Sequence, residues 1–157
     1  MMTQERGRST SAVGEGTVAV HLAPHSLTYM PGETLSGSCR WFVEPPSDVR
    51  RVEVSVLWRT EGKGDEDFGV HFFHAASAQG TYDDLPCPLA FSTTLPPSPL
   101  SYDGPLLKIR WYVRVRVFLK RGKEIVCDKP FQLGRVPRHR AVQPPPDPSP
   151  GDLYADE

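Results

Sequence analysis

Cysteine is scarce in these 157 residues: Cys39, Cys87 and Cys127 are three in number and widely spaced. An odd, scattered set argues against a disulfide framework and for a reducing compartment. Helical periodicity is missing at any useful length, and no apolar run is long enough to span a bilayer. The opening MMTQERGRSTSAVGEG lacks the apolar stretch of a secretory signal, so the expected location is cytoplasmic. Excess charge of either sign is also missing. A net charge of −1 gives no overall steering toward nucleic acid or membrane. The chain has no G-x-S-x-G elbow, no glycine-rich phosphate loop leading into a helix, and no H-E-x-x-H. The expectation is a protein that is not an enzyme, without cofactor or metal.

What the chain does have is 17 prolines and 13 glycines, spread between short β-branched and aromatic runs, as all-β proteins require. One stretch organises the rest, LLKIRWYVRVRVFLK at 106–120. Its apolar residues recur at every second position: Leu107, Ile109, Trp111, Val113, Val115, Val117 and Leu119. A period of two belongs to a strand whose faces differ, one apolar and one polar. The polar face carries Lys108, Arg110, Tyr112, Arg114, Arg116, Phe118 and Lys120. A straight strand of this length would span about 50 Å at about 3.3 Å per residue, which predicts a bend or bulge within it.

Seven further segments alternate in the same way. TVAVHL at 17–22 and SLTYM at 26–30 precede a Pro31-Gly32-Glu33 turn and TLSGSCRWFV at 34–43. Gly37 inside that last segment predicts a bulge or a close neighbour. VRRVEVSVLWRT at 49–60 puts Val52, Val54, Val56 and Trp58 on one side, and DFGVHFFHAA, after a hydrophilic turn, does the same with Phe68, Val70, Phe72 and His74. LAFSTTL at 89–95 follows a loop at 78–88. Arg121-Gly122-Lys123 turns the long strand into KEIVCDKPFQL. About eight strands without helices predict an antiparallel two-sheet β-sandwich, since a single large sheet would leave a face uncovered. The expected organisation is a disordered leader at 1–15, one sandwich domain at 16–134, and a proline-rich, acidic, flexible tail at 135–157.

Two motifs then suggest a family. PGETLSG at 31–37 resembles the glycine-glutamate turn near the start of an arrestin domain. FSTTLPPSPLSYDGPLLKIRWYVRVRV at 91–117 resembles the same family's strand end, serine-proline turn and isoleucine-arginine-aromatic strand. The resemblance covers roughly residues 17–133, one lobe where arrestins have two. It implies an arrestin-like, immunoglobulin-like sandwich acting as a trafficking or signalling adaptor, or as a bacterial regulator of stress or development, without catalysis. A second lobe and the family's polar-core charge set are missing, so receptor binding of the visual kind is not implied. Pro144-Pro145-Pro146-Asp147 lacks the tyrosine of a P-P-x-Y motif, so recruitment of ubiquitin ligase is not implied either.

The basic face is the sharpest candidate site. Lys108, Arg110, Tyr112, Arg114, Arg116, Phe118 and Lys120 would form a ladder about 7 Å apart, suited to an acidic or phosphorylated peptide. An exposed edge strand is a second candidate contact. The plain alternative is a solvated sheet face. Repulsion between cations ~7 Å apart in water is only about 0.6 kcal/mol, and an opposing Glu53 or Asp128 would cancel part of it. The expected partner is therefore a protein, with no nucleic acid; peripheral attachment to an anionic membrane has no further support in the sequence. The rival class is a small-ligand or carbohydrate-binding sandwich, but Trp41, Trp58 and Trp111 all fall on predicted inner faces, which favours core over sugar platform. His71 and His74 with Cys87 or Cys127 would be the available metal ligands; three apart in a strand, the histidines point to opposite faces, so structural roles are expected. The tail is a spacer, a ligand for a proline-recognition groove, or an acidic segment folding back on the basic face.

Overall fold

The computed structural model describes residues 8–13 as backbone only, and residues 16–23, 27–64, 66–78 and 85–135. Ten strands run through them: β1 (Arg8–Val13), β2 (Gly16–Ala23), β3 (Thr28–Tyr29), β4 (Thr34–Val43), β5 (Val49–Gly62), β6 (Phe68–Ser77), β7 (Leu89–Thr94), β8 (Tyr102–Asp103), β9 (Leu107–Leu119) and β10 (Glu124–Leu133). One sheet holds β1, β2, β4 and β7 in that order. The other runs β3, β10, β9, β5, β6, with β8 beside β9. Every pairing is antiparallel except the short one between β3 and β10. This is the all-β two-sheet sandwich that the alternation predicts.

The organising stretch lies where its rhythm requires, in the middle of the larger sheet between β5 and β10. Trp111, Val113, Val115 and Val117 are fully sealed, next to Val52, Val54 and Val56 of β5 and Ile125, Cys127 and Leu133 of β10. Val18, Val20, Leu22, Leu35 and Cys39 close the core from the other sheet. Each such side chain contributes roughly 1.5–3 kcal/mol on burial. The two ends of the apolar face are less covered than the rhythm predicts: Ile109 and Leu119 are half-buried and Leu107 is exposed. The cause is length. β9 has 13 residues against 8, 10 and 6 in β2, β4 and β7, so it overhangs the sheet that covers it.

Gly37 marks a close approach, as its position predicts. A Cβ there would meet the His21 carbonyl oxygen and the Phe91 ring. The hairpin turn after β9 holds Arg121 and Gly122 at φ 65° and 72°, and the Leu119 amide donates to the Lys123 carbonyl at 2.8 Å.

Five expectations need correction. The leader expected at 1–15 contributes strand β1, whose backbone pairs with β2 from Arg8↔His21 to Val13↔Gly16; backbone hydrogen bonding recruits it where no apolar period does. Tyr102–Asp103 adds a second strand to the eight expected. The irregularity predicted within the long strand falls instead on its neighbours, at Arg50 in β5 and at His71 in β6. Because β6 is bulged, Phe68, Val70, Phe72 and His74 do not share a face. Phe72 pairs with the sealed Val56, whereas Val70 pairs with Leu57 on the opposite, outer side. The bulge also breaks the expected divergence of the two histidines: His71 turns inward and His74 pairs with the sealed Val54. All but Arg135 of the tail expected at 135–157, and most of the 78–88 loop, lie outside the described residues.

Candidate interaction surface

The outer face of the larger sheet is a grid fixed by strand register. Reading from β6 through β5 and β9 to β10, its rows are Ala75–Glu53–Arg116–Val126, Phe73–Ser55–Arg114–Asp128 and Val70–Leu57–Tyr112–Pro130. Beyond them Phe68, Arg59 and Arg110 form the next row. All the basic positions of the long strand are thus presented on one side, but each meets a different neighbour.

Four of the five cations are held by carboxylates of the same chain. Arg114 donates twice to Asp128, at 2.7 and 3.0 Å. Arg110 bridges to Glu61 at 3.0 Å, and Lys108 to Asp103 and Lys120 to Asp48, both at 3.6 Å. Lys120 lies just past the strand, in the turn. Arg116 differs: its side chain has no hydrogen bond or ion pair among the described residues, and its Nε is buried without a partner. Glu53, directly opposite, is bonded to Arg51 at 3.0 Å. A buried donor left unmet ordinarily costs about 1–3 kcal/mol.

The two aromatics of the row are less available than the cations. Tyr112 is buried; its hydroxyl donates to Glu61 at 3.0 Å and the Arg59 guanidinium lies 4.7 Å above its ring. Burial, with the bond to Glu61, pushes the Tyr112 phenol above its ordinary range. The same hydrogen bond, helped by Arg110 and Arg59, holds the Glu61 carboxyl below its own. Phe118 is half-buried between Arg51 and Glu124.

The feature that sequence reasoning misplaced is the margin of this face. Phe68, Val70 and Phe73 are 69%, 55% and 53% exposed, all on the outer side of β6, the last strand of its sheet. Among the described residues no strand pairs with its far edge. β6 carries no Lys, Arg, Asp or Glu from Phe68 to Ser77, so the usual charged guards of an edge are missing. The Phe72-Phe73 doublet was the available signal; without the bulge, alternation assigns Phe68 and Val70 to the wrong side. His71, at the bulge, is committed inward, with Nε2 2.8 Å from the Thr94 carbonyl oxygen and its ring edge-on to Trp111.

Other features are weaker. A cavity of about 260 Å³ opens where β9 exchanges β10 for β8, lined by Ile109, Trp111 and Phe131 with Lys108 and Arg110 at its rim. It falls below the roughly 300–1,000 Å³ usual for small-molecule sites. Trp111 is sealed in the core, and Trp41 and Trp58 pack partly against it, which leaves no tryptophan platform for a sugar among the described residues. Cys39 and Cys127 are buried and Cys87 is exposed. Burial, and then Cys87 and Cys127, push the Cys39 thiol up to about 12. No group of three His, Cys, Asp or Glu among the described residues is placed to hold a metal ion.

With the two sheets and their order established, the fold is that of an arrestin-like β-sandwich. Among solved structures, the chain is similar to Spo0M, the sporulation control protein of Bacillus subtilis, with a TM-score of 0.56 at 15% sequence identity. The match covers 79% of this chain and 51% of that one, so the chain spans about half the length of Spo0M. At this identity the likeness is one of fold. No family model and no curated protein matches the sequence.

Proposed function

We propose that the chain is a non-enzymatic protein-interaction module, an adaptor or regulator, that binds a protein partner through the outer face of its larger sheet and the open edge of β6. The observation that carries this is the apolar margin of Phe68, Val70 and Phe73 on an uncharged edge strand, beside a field of arginines. Aromatic and arginine side chains are enriched at interfaces, and an unpaired edge supplies backbone hydrogen bonds to an added strand. The arrestin-like fold is in keeping with such a role. An odd set of three widely spaced cysteines accords with work in a reducing cytoplasm.

The test is partner capture from cells with the wild-type chain and with the double variant Phe68→Asp, Phe73→Asp. Both side chains are exposed, so the unfolding midpoint should be retained while the captured partner is lost. An unaltered partner at unaltered stability would overturn the assignment of this surface.

A further inference from the structure

The basic row is not a uniform ladder. Lys108, Arg110, Arg114 and Lys120 each already face a carboxylate of this chain, and an incoming anion would have to displace it. Arg116 alone among the row's described cations offers a guanidinium with no hydrogen bond or ion pair, and its buried Nε marks a donor that folding leaves unmet. The rows place it between Val126 on one side and Glu53, bonded to Arg51, on the other.

Resting on the interaction surface proposed above, we infer that Arg116 is the receptor for a single carboxylate side chain of an acidic partner peptide. A planar guanidinium matches a carboxylate with two parallel hydrogen bonds, here through its two Nη groups, since Nε is buried. The surroundings select for one negative charge. Glu53 and Asp128 flank the position but are each already bonded to an arginine of this chain, so Arg116 is left as one unmatched positive charge, which a single carboxylate balances and a doubly charged phosphate or an anionic bilayer exceeds. Phe73 lies two strands across and one row along, roughly 12 Å away by sheet spacings, close to the span of residues i and i+4 in an extended chain. The partner's recognition element is then a carboxylate followed or preceded at about that distance by an apolar side chain. Specificity in the row comes from the position that lacks an internal counter-ion, not from the number of cations.

The test is arginine side-chain NMR on the full chain, titrated at matched ionic strength with sodium acetate, with sodium phosphate, and with vesicles containing phosphatidylserine. The Nε–Hε resonance of Arg116 should move saturably with acetate, at least threefold further than those of Arg110 and Arg114, and Arg116→Gln should abolish the saturable response. Phosphate should bind no more than about as tightly as acetate, and vesicles should leave the resonance in place. Equal movement of all three arginines, a tenfold preference for phosphate, or vesicle binding that depends on Arg116 would each overturn the assignment. Partner capture lost in the Phe68→Asp, Phe73→Asp variant, with no acetate response at Arg116, would refute this inference while leaving the interaction surface standing.

Discussion

Arg114 and Asp128 face each other across β9 and β10 and are joined by two hydrogen bonds, Nε to Oδ1 at 2.7 Å and Nη2 to Oδ2 at 3.0 Å. The pair turns what reads as an open cation into a closed unit of the sheet. Asp128 hydrogen-bonds the guanidinium and holds its pKa above the ordinary arginine value, so Arg114 keeps its charge.

Asp128→Asn should therefore act in two ways. It weakens a two-bond pair that is a quarter to a third exposed, which after solvent screening costs about 1 kcal/mol, read as a lower urea midpoint. It also releases the Arg114 guanidinium, so the Arg114 Nε–Hε resonance should begin to respond to acetate. A variant that loses stability but leaves Arg114 silent would contradict the internal-neutralisation account.

Lys129 occupies an inward position of β10, between Cys127 and Phe131 and opposite the sealed Val113. Burial lowers its pKa, offset only in part by Cys127. The unfolded chain then holds this proton more tightly than the folded one, and stability rises as pH climbs toward the ordinary lysine value of 10.5. Lys129→Met should stabilise by about 1 kcal/mol at pH 7 and flatten that alkaline rise. Denaturant unfolding at pH 7 and pH 9.5 measures both effects.

Glu61 gives the opposite limb. The Tyr112 hydroxyl, then Arg110 and Arg59, lower its carboxyl below the ordinary 4.5. Its contribution is complete above that value and is lost as pH falls through the depressed folded one. Thermal unfolding between pH 6 and pH 3 should show a shallower acid loss for Glu61→Gln than for the wild type. An unchanged acid slope would mean that the Glu61, Tyr112 and arginine cluster does not persist in solution.

Much of this was readable from the residues. The two-residue rhythm located β9 and its sealed valines, the turn residues separated eight of the ten strands, and Glu53 and Asp128 stood out as counter-charges. Three things were not readable, each for a physical reason. β1 is held by backbone pairing, which leaves no apolar period. The bulge at His71 inverts the faces of β6, and one extra residue has no signature in an alternating run. The division of the basic row into held and unheld cations depends on cross-strand register, which places Glu61 by Arg110 from 49 positions away and leaves Glu53 with Arg51.

The thiols separate by burial. Cys87 is exposed, whereas Cys127 is buried and Cys39 is buried with its pKa pushed up to about 12. At pH 8 iodoacetamide should modify Cys87 alone in the folded protein, and all three only in denaturant, as read by mass spectrometry. Rapid labelling of Cys39 without denaturant would mean that the sandwich opens at β4.

On the proposed reading the partner meets the outer face of the larger sheet at its β6 margin. The most direct test places a photoreactive phenylalanine at position 73 or at position 42, the latter 64% exposed on the other sheet, and irradiates living cells. A discrete crosslinked partner is expected from position 73 and none from position 42. Crosslinks from position 42 with none from position 73 would contradict that reading.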